Sequence, residues 1–221
     1  MARGRIRAVT GEEWVRPEQD PFVVVCNHGQ RLEALIVPTL LIFLRGGKRV
    51  HFMADWNFLL VPFVGLAFRR SQVIVVGRKS ARPRWLDVLK PRLVPSRPPL
   101  RQALDRLAAG SPVGVFPEGT VNRDPERLLR GEMGAARIVL HAAVPIVPLG
   151  IRYHDLVAGE QIPERAPLSI EIGPPLSAGP TALPPQPSRI EVRRLHARIM
   201  TEISRLSGKY WPGTPPVEED S

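Results

Sequence analysis

The run FVVVC at residues 22–26 is apolar at every position and β-branched at three of them. A strand with one wet face alternates apolar and polar residues, whereas a continuous run is the pattern of a strand buried on both faces. Such a strand needs a covering layer on each side. Similar short runs follow at residues 50–54, 73–76, 113–116, 146–151 and 168–172. Helical patterns lie between them. Residues 32–44 read as a helix interrupted or kinked at Pro38, and residues 131–142 as another. Residues 98–109 begin with Pro98 and Pro99, carry Leu100, Leu104 and Leu107 on one face, and stop at Gly110. Residues 57–66 are apolar and ambiguous. The alternation predicts an α/β fold: a single domain with a mixed, mostly parallel sheet and helices on both faces.

The chain has 221 residues, of which 25 are proline and 18 glycine. A chain this long buries enough surface to fold without disulfides or a structural metal. The proline and glycine content suits short elements joined by rigid loops rather than a helical bundle. A single cysteine, Cys26, excludes a disulfide framework and fits a reducing compartment. Residues 174–188 hold six prolines and read as a rigid connector. A last helix starts at Ser188, with Glu191 completing a capping box, an apolar stripe of Val192, Leu195, Ile199, Ile203 and Leu206, and Gly208 as its stop. The predicted organisation is an N-terminal extension (1–20), one folded domain (21–208) and a flexible tail (209–221).

The longest apolar runs, residues 34–44 and 58–68, have eleven residues each. A spanning helix needs about 20. The opening MARGRIRAVTGEEW is basic but has no apolar core, so no signal peptide is expected and the predicted location is the cytoplasm. The net charge is +10. It is concentrated: Arg78 to Arg106 carries nine basic residues against Asp87 and Asp105. Prolines through residues 82–99 predict an irregular surface excursion. A nucleic-acid surface would interleave aromatic residues with the basic ones. Only Trp85 does so here, and a nucleic-acid partner is not expected. The stretch Arg82–Arg106 instead predicts contact with an anionic membrane surface or an acidic carrier protein.

Polar groups gather where strands end, which is where open α/β sheets place their sites. Asn27-His28-Gly29-Gln30-Arg31-Leu32-Glu33 follows the first buried run. A histidine there is placed to act as a general base. A carboxylate five residues on, in the opening turn of a helix, can fold back to orient the ring and stabilise its imidazolium. On its own, His28 reads more readily as a hydrogen-bonded loop histidine, and Cys26 beside it as a packed thiol. Phe116-Pro117-Glu118-Gly119-Thr120 ends another run at the same sheet edge. Val144-Pro145-Ile146-Val147-Pro148 reads as a structural strand.

Taken in order, these segments resemble the glycerolipid acyltransferase family, typified by 1-acylglycerol-3-phosphate O-acyltransferases. Asn27-His28 with Glu33 matches its Asn-His-x4-Asp motif, and Val73-Ile74-Val75-Val76-Gly77-Arg78 its arginine after an apolar strand. Phe116 to Thr120 match its Phe-Pro-Glu-Gly-Thr-Arg motif as far as the threonine, and Val144 to Pro148 its Val-Pro-Ile-Val-Pro strand. Gly134-Ala135-Ala136-Arg137 fits the intervening helix. The resemblance implies direct acyl transfer from acyl-CoA or acyl carrier protein to an acceptor hydroxyl, most simply a lysophospholipid. It implies no covalent acyl-enzyme, no metal and no cofactor beyond that co-substrate. His28 and Glu33 take the catalytic roles; Asn27, Arg78, Glu118, Gly119, Thr120 and Arg123 are the implied substrate contacts. A lipid substrate and no spanning helix together imply peripheral attachment to the inner face of the membrane.

Two positions depart from the pattern. Glu33 stands for Asp, and Val121 stands where the motif has its last arginine, with Arg123 two residues further on. If Arg123 does not replace the missing donor, weak use of lysophosphatidate is expected. Two alternatives therefore stand beside the leading reading: a family member acylating an amine or a specialised metabolite, and a non-catalytic lipid-binding relative.

Overall fold

A computed structural model describes residues 5–81, 83–177 and 187–213. Among these residues, one sheet is built from β1 (Ile6–Thr10), β2 (Val23–Cys26), β3 (His51–Asp55), β4 (Ile74–Val76), β5 (Val113–Val115), β6 (Ile146–Tyr153) and β7 (Leu168–Ile172). The strand order is β1-β7-β6-β2-β5-β3-β4. Strands β6, β2, β5, β3 and β4 run parallel; β7 is antiparallel to β6, and β1 pairs parallel with β7. The helices are α1 (Glu33–Leu44), α2 (Val64–Arg70), α3 (Lys90–Leu93), α4 (Pro99–Ala108), α5 (Gly134–Ala142) and α6 (Arg189–Ser207). This is the α/β architecture expected from the sequence.

The continuous run at β2 is explained by two cores. All four of its residues are buried. Val23 and Val25 pack in one core with Ala103 and Leu107 of α4, Ala136 and Val139 of α5 and Leu195 and Ile199 of α6. Val24 and Cys26 pack in the other with Val37 and Leu41 of α1. Successive side chains of a strand point to opposite faces, so a strand between two helical layers has no polar position. Helix α6 carries the reciprocal capping box at Ser188 and Glu191, and its expected apolar stripe is buried. It lies so close to β6 that a Cβ on Gly150 would sit 2.4 Å from the backbone of Leu206.

Several segments differ from expectation. Helix α1 runs through Pro38 without a break. The ambiguous residues 57–66 divide into a 3-10 turn, Trp56–Leu60, and the start of α2, separated by Phe63 at φ +64°. The proline-rich basic stretch forms a 3-10 turn over Arg84–Leu89 and then α3. Pro91 sits in the opening turn of α3, where its missing N–H has no helical partner to lose. Arg82 lies outside the described residues.

The folded body also extends past both predicted ends. The supposed N-terminal extension contains β1, an edge strand whose Ile6 and Val9 pack towards the core while Arg7 faces out. Charge on an edge strand blocks further pairing, which is why its sequence looks unlike the inner runs. At the other end Lys209 and Trp211, assigned to the tail, are buried against the loop after β5. The remainder of the predicted tail, residues 214–221, and residues 178–186 of the predicted connector lie outside the described residues. Among the described residues no helix is long and apolar enough to cross a membrane.

Candidate functional site

The connections of β2 and β5 leave the sheet in opposite directions. From β2 the chain passes through α1 to β3, on the far side of β5; from β5 it passes through α5 to β6, on the far side of β2. Helices α1 and α5 belong to the two different cores, so they lie on opposite faces. A crevice therefore opens at the carboxyl ends of β2 and β5, the switch point at which open α/β sheets bind ligands. His28 follows β2 there, and Glu118 follows β5.

His28 is held on every side but one. Its ring stacks on Phe116, with centroids 4.4 Å apart. Its Nδ1 is 3.1 Å from Oε2 of Glu33. Its backbone N–H donates to Glu118 at 3.1 Å, and its carbonyl accepts from the backbone of Asn122 at 2.7 Å. Among the described residues Nε2 has no protein partner. One ring nitrogen thus faces a carboxylate, and the other is left without a protein partner among the described residues.

Glu33 is fully buried at the first position of α1, where the helix dipole favours an anion. Besides His28, it accepts the backbone N–H of Gly29 at 2.8 Å on Oε2 and the Tyr153 hydroxyl at 2.5 Å on Oε1. The extra methylene relative to aspartate is accommodated by this second set of partners. Burial, the Glu33 charge and the hydrogen bond to it push the Tyr153 phenol well above its usual range. Burial and the charges of Glu33 and Glu118 push the Cys26 thiol up in the same way, and it donates to the Asn27 carbonyl. Cys26 is thus a packed, protonated thiol rather than a nucleophile. Burial pushes the Lys209 ammonium down, against the opposing pull of Glu118, Glu33 and Asp124.

Some expected substrate contacts have other work. Asn27 donates to the Ile151 carbonyl at 3.0 Å and accepts from the Ile151 N–H at 2.7 Å, so both ends of its side chain clamp β2 to β6. Each end of the amide thus serves the strand pairing, because a buried strand end has no water to satisfy those backbone groups. Glu118 is buried and accepts from His28, from Asn122 Nδ2 at 2.7 Å and from the Leu129 N–H at 2.9 Å. It fixes the turn that carries Gly119, whose φ is +70°. Arg123 does not face the crevice as a free donor: it is ion-paired with Glu164, which also accepts the Arg31 N–H at 3.1 Å. Thr120 is exposed.

Arg78 remains at the rim. It is 2.9 Å from Glu132, with 72% of its side chain exposed. Glu132 lies 3.2 Å from where a Cβ on Gly119 would be, and Lys79 donates to the Gly119 carbonyl at 3.2 Å. Arg78, Lys79 and Gly119 thus share one edge of the site. The sequence reading missed Tyr153, Asn122, Glu132 and Lys209. For Tyr153 a signal existed. Strand β6 runs two residues past its predicted end, and the period-2 continuation of Val147, Leu149 and Ile151 places Tyr153 on the α1 face.

A model of the family described as Acyltransferase matches residues 6–152. The chain is 26% identical over 141 residues to a chloroplastic 1-acyl-sn-glycerol-3-phosphate acyltransferase of Brassica napus, covering 64% of this chain and 36% of the relative. It is 21% identical over 188 residues to the 1-acyl-sn-glycerol-3-phosphate acyltransferase of Bacillus subtilis (strain 168), covering 85% of this chain and 82% of the relative. It spans only about a third of the chloroplastic relatives' length. Its fold resembles the crystal structure of the 1-acyl-sn-glycerophosphate (LPA) acyltransferase PlsC from Thermotoga maritima, with TM-score 0.59 and 23% identity over 90% of this chain and 69% of that one.

Proposed function

Because this chain belongs to the acyltransferase family, we propose that it moves a fatty acyl group from a thioester donor, acyl-CoA or acyl carrier protein, to the free hydroxyl of a 1-acylglycerol-3-phosphate. The observation that carries this reading is the pairing of His28 with Glu33 after the switch-point strand β2, which leaves Nε2 without a partner among the described residues. The acceptor is the one named for the relatives. Because Arg123 is paired with Glu164 and does not replace the missing arginine, weak use of that acceptor is expected, with Arg78 left to hold the phosphate.

In this mechanism Nε2 takes the proton of the acceptor hydroxyl as its oxygen attacks the thioester carbonyl. The resulting imidazolium is stabilised by Glu33 through Nδ1. Collapse of the tetrahedral intermediate breaks the C–S bond, and the imidazolium proton passes to the leaving sulfur. An ester and a free thiol result, and the acyl group never resides on the protein. Arg78 suits the acceptor phosphate. Its ion pair with Glu132 is exposed, and exposed pairs contribute only about 0–1 kcal/mol, so a phosphomonoester can displace the carboxylate.

A peripheral membrane position fits the exposed segments that flank β4 in the chain. Phe63 is 87% exposed, and Val61, Leu66, Trp85 and Val88 are exposed in the same two stretches of sequence that carry Arg69, Arg70, Arg84, Lys90 and Arg92. Apolar groups among cations suit an anionic lipid surface.

The test is acyl transfer to 1-acylglycerol-3-phosphate, followed by mass spectrometry with acyl-CoA and with acylated carrier protein. His28→Ala, with its fold verified by circular dichroism, is expected to lose roughly 10²–10⁴-fold in rate. A variant within a few-fold of wild type would remove His28 from the mechanism.

A further inference from the structure

Glu33 reaches His28 with one oxygen, and its other oxygen is taken by a residue that lies far away in sequence. The Tyr153 hydroxyl donates to Glu33 Oε1 at 2.5 Å and accepts the Gly29 N–H at 2.9 Å. Gly29 also donates to Glu33 Oε2 at 2.8 Å. Tyr153, Glu33 and Gly29 therefore form a closed ring of hydrogen bonds, and His28 Nδ1 is attached to it through Glu33 Oε2. Gly29 has no positive φ to explain its identity. The reason is space: a Cβ there would lie 2.3 Å from the Tyr153 hydroxyl oxygen. The glycine and the tyrosine require each other.

We propose that Tyr153 is a positioning residue for the His28–Glu33 pair, admitted by Gly29. Its hydroxyl turns the longer glutamate so that Oε2 faces Nδ1, and it takes up part of the carboxylate's charge. The inference rests on the acyl-transfer reading. The phenol bonds to Glu33 and Gly29 rather than to His28, and its effect passes through Glu33. Without the hydroxyl, Glu33 Oε1 loses its partner, and the undiluted charge holds the imidazolium proton more firmly. The neutral, proton-accepting form of His28 then needs a higher pH.

The other ionisable groups around the pair stay in place when Tyr153 changes. Glu118 faces it from the loop after β5, Cys26 from β2, and Lys209 from the segment after α6, with its Nζ 5.2 Å from the Tyr153 ring centroid. Cys26 is pushed well above its usual range and does not titrate near neutrality. Phe116, on the ring's face, is neutral.

The experiment measures kcat, KM and the pH profile of the full chain as Tyr153→Phe, alone and in a Glu33→Asp background. A lost hydrogen bond to a charged group corresponds to roughly 10–100-fold, and a loss in that range is expected in kcat for Tyr153→Phe with acceptor KM little changed. The acid limb of its kcat/KM profile is expected at higher pH. The shorter carboxylate of Glu33→Asp cannot reach both Nδ1 and the phenol. Adding Tyr153→Phe there is expected to cost no more than about twofold, so the pair is strongly non-additive. Gly29→Ala, which keeps every polar group but displaces the phenol, should reproduce the pH shift of Tyr153→Phe. An NMR titration of the His28 ring in wild type and Tyr153→Phe reads the same shift without turnover. An unmoved titration, or an equal loss whichever residue stands at position 33, overturns the role of Tyr153. If instead wild type transfers no acyl group, or His28→Ala transfers it undiminished, the acyl-transfer reading fails while the NMR shift still judges the hydrogen-bond ring.

Discussion

The backbone N–H of His28 donates to the side chain of Glu118, 3.1 Å away and 90 positions later in the chain. The two motifs at the switch point are thus bonded to each other, and the shared glutamate holds both in register. Its other oxygen accepts from Asn122 and Leu129. Glu118→Gln replaces one acceptor oxygen with a donor and leaves at least one buried N–H facing it. A buried donor without a partner costs about 1–3 kcal/mol. The urea midpoint should fall accordingly, with activity reduced as well. If Glu118 acted only by touching acceptor, the variant would keep wild-type stability and show a raised acceptor KM alone.

Arg78 and Arg123 should separate cleanly. Arg123 is ion-paired with Glu164, whereas the partner of Arg78 is exposed at the rim. Arg78→Ala should raise KM for 1-acylglycerol-3-phosphate about tenfold or more, the scale of a lost charge-assisted bond of ~1.5–3 kcal/mol. Arg123→Ala should leave that KM within about twofold, a change under 0.5 kcal/mol. A larger KM effect at Arg123 than at Arg78 would reverse the assignment of the phosphate site.

Acid should destabilise the fold through His51. Its ring is buried at the start of β3, with Nδ1 3.0 Å from the Gln72 carbonyl. Burial lowers its proton affinity below the ordinary histidine value, with Arg106 and Arg49 adding to that effect. The unfolded chain therefore binds the proton more readily, and stability rises with pH through this interval. Stability from the neutral ring is complete above about pH 6.5 and declines as pH falls towards the depressed folded value. Thermal melts of His51→Asn should show a shallower decline between pH 7 and 5 than wild type. A slope equal to wild type would shift the cause to other groups.

Vesicle co-sedimentation tests the basic and apolar surface. Basic residues near anionic lipid contribute about 1 kcal/mol each, and this attraction weakens as salt shortens the screening length. Binding should require anionic lipid, fall at high salt and weaken further in Phe63→Ser and Trp85→Ser. Equal binding to neutral vesicles would leave apolar insertion as the dominant contact, and no binding to either would remove the membrane from this surface.

What could be read from sequence tracks how local its cause is. The β2 run announces its two-sided burial because every side chain carries the signal. The link from Glu33 to His28 spans five residues and one helix start, so spacing alone suggests it. Tyr153 reaches the same carboxylate from β6, and no pattern around it shows that strand order brings β6 beside β2. Asn27 was legible as a polar residue at a strand end, but its actual partner, the Ile151 backbone, depends on the same long-range pairing. Edge strand β1 was obscured by the charges that keep it from pairing further. Lys209 looked like the start of a tail, because a lysine after a helix-stop glycine ordinarily faces water.

The residues just past α6 close the loop that carries Glu118. Tyr210 exchanges backbone hydrogen bonds with Glu126 and Leu128 at 2.7 and 2.8 Å, Lys209 donates to the Asp124 carbonyl at 2.7 Å, and Trp211 donates to Arg130 at 3.2 Å. Roughly 90 residues separate Glu118 from this clasp. At a synthesis rate of about 5–20 residues per second, the delay is on the order of 5–20 s. During that interval a nascent chain on the ribosome holds both motifs and their strands but lacks all four bonds of the clasp. Fastening of the loop thus waits until the segment after α6 has been made, and a chain stopped before Lys209 that retains β2 and β5 still carries an unfastened loop.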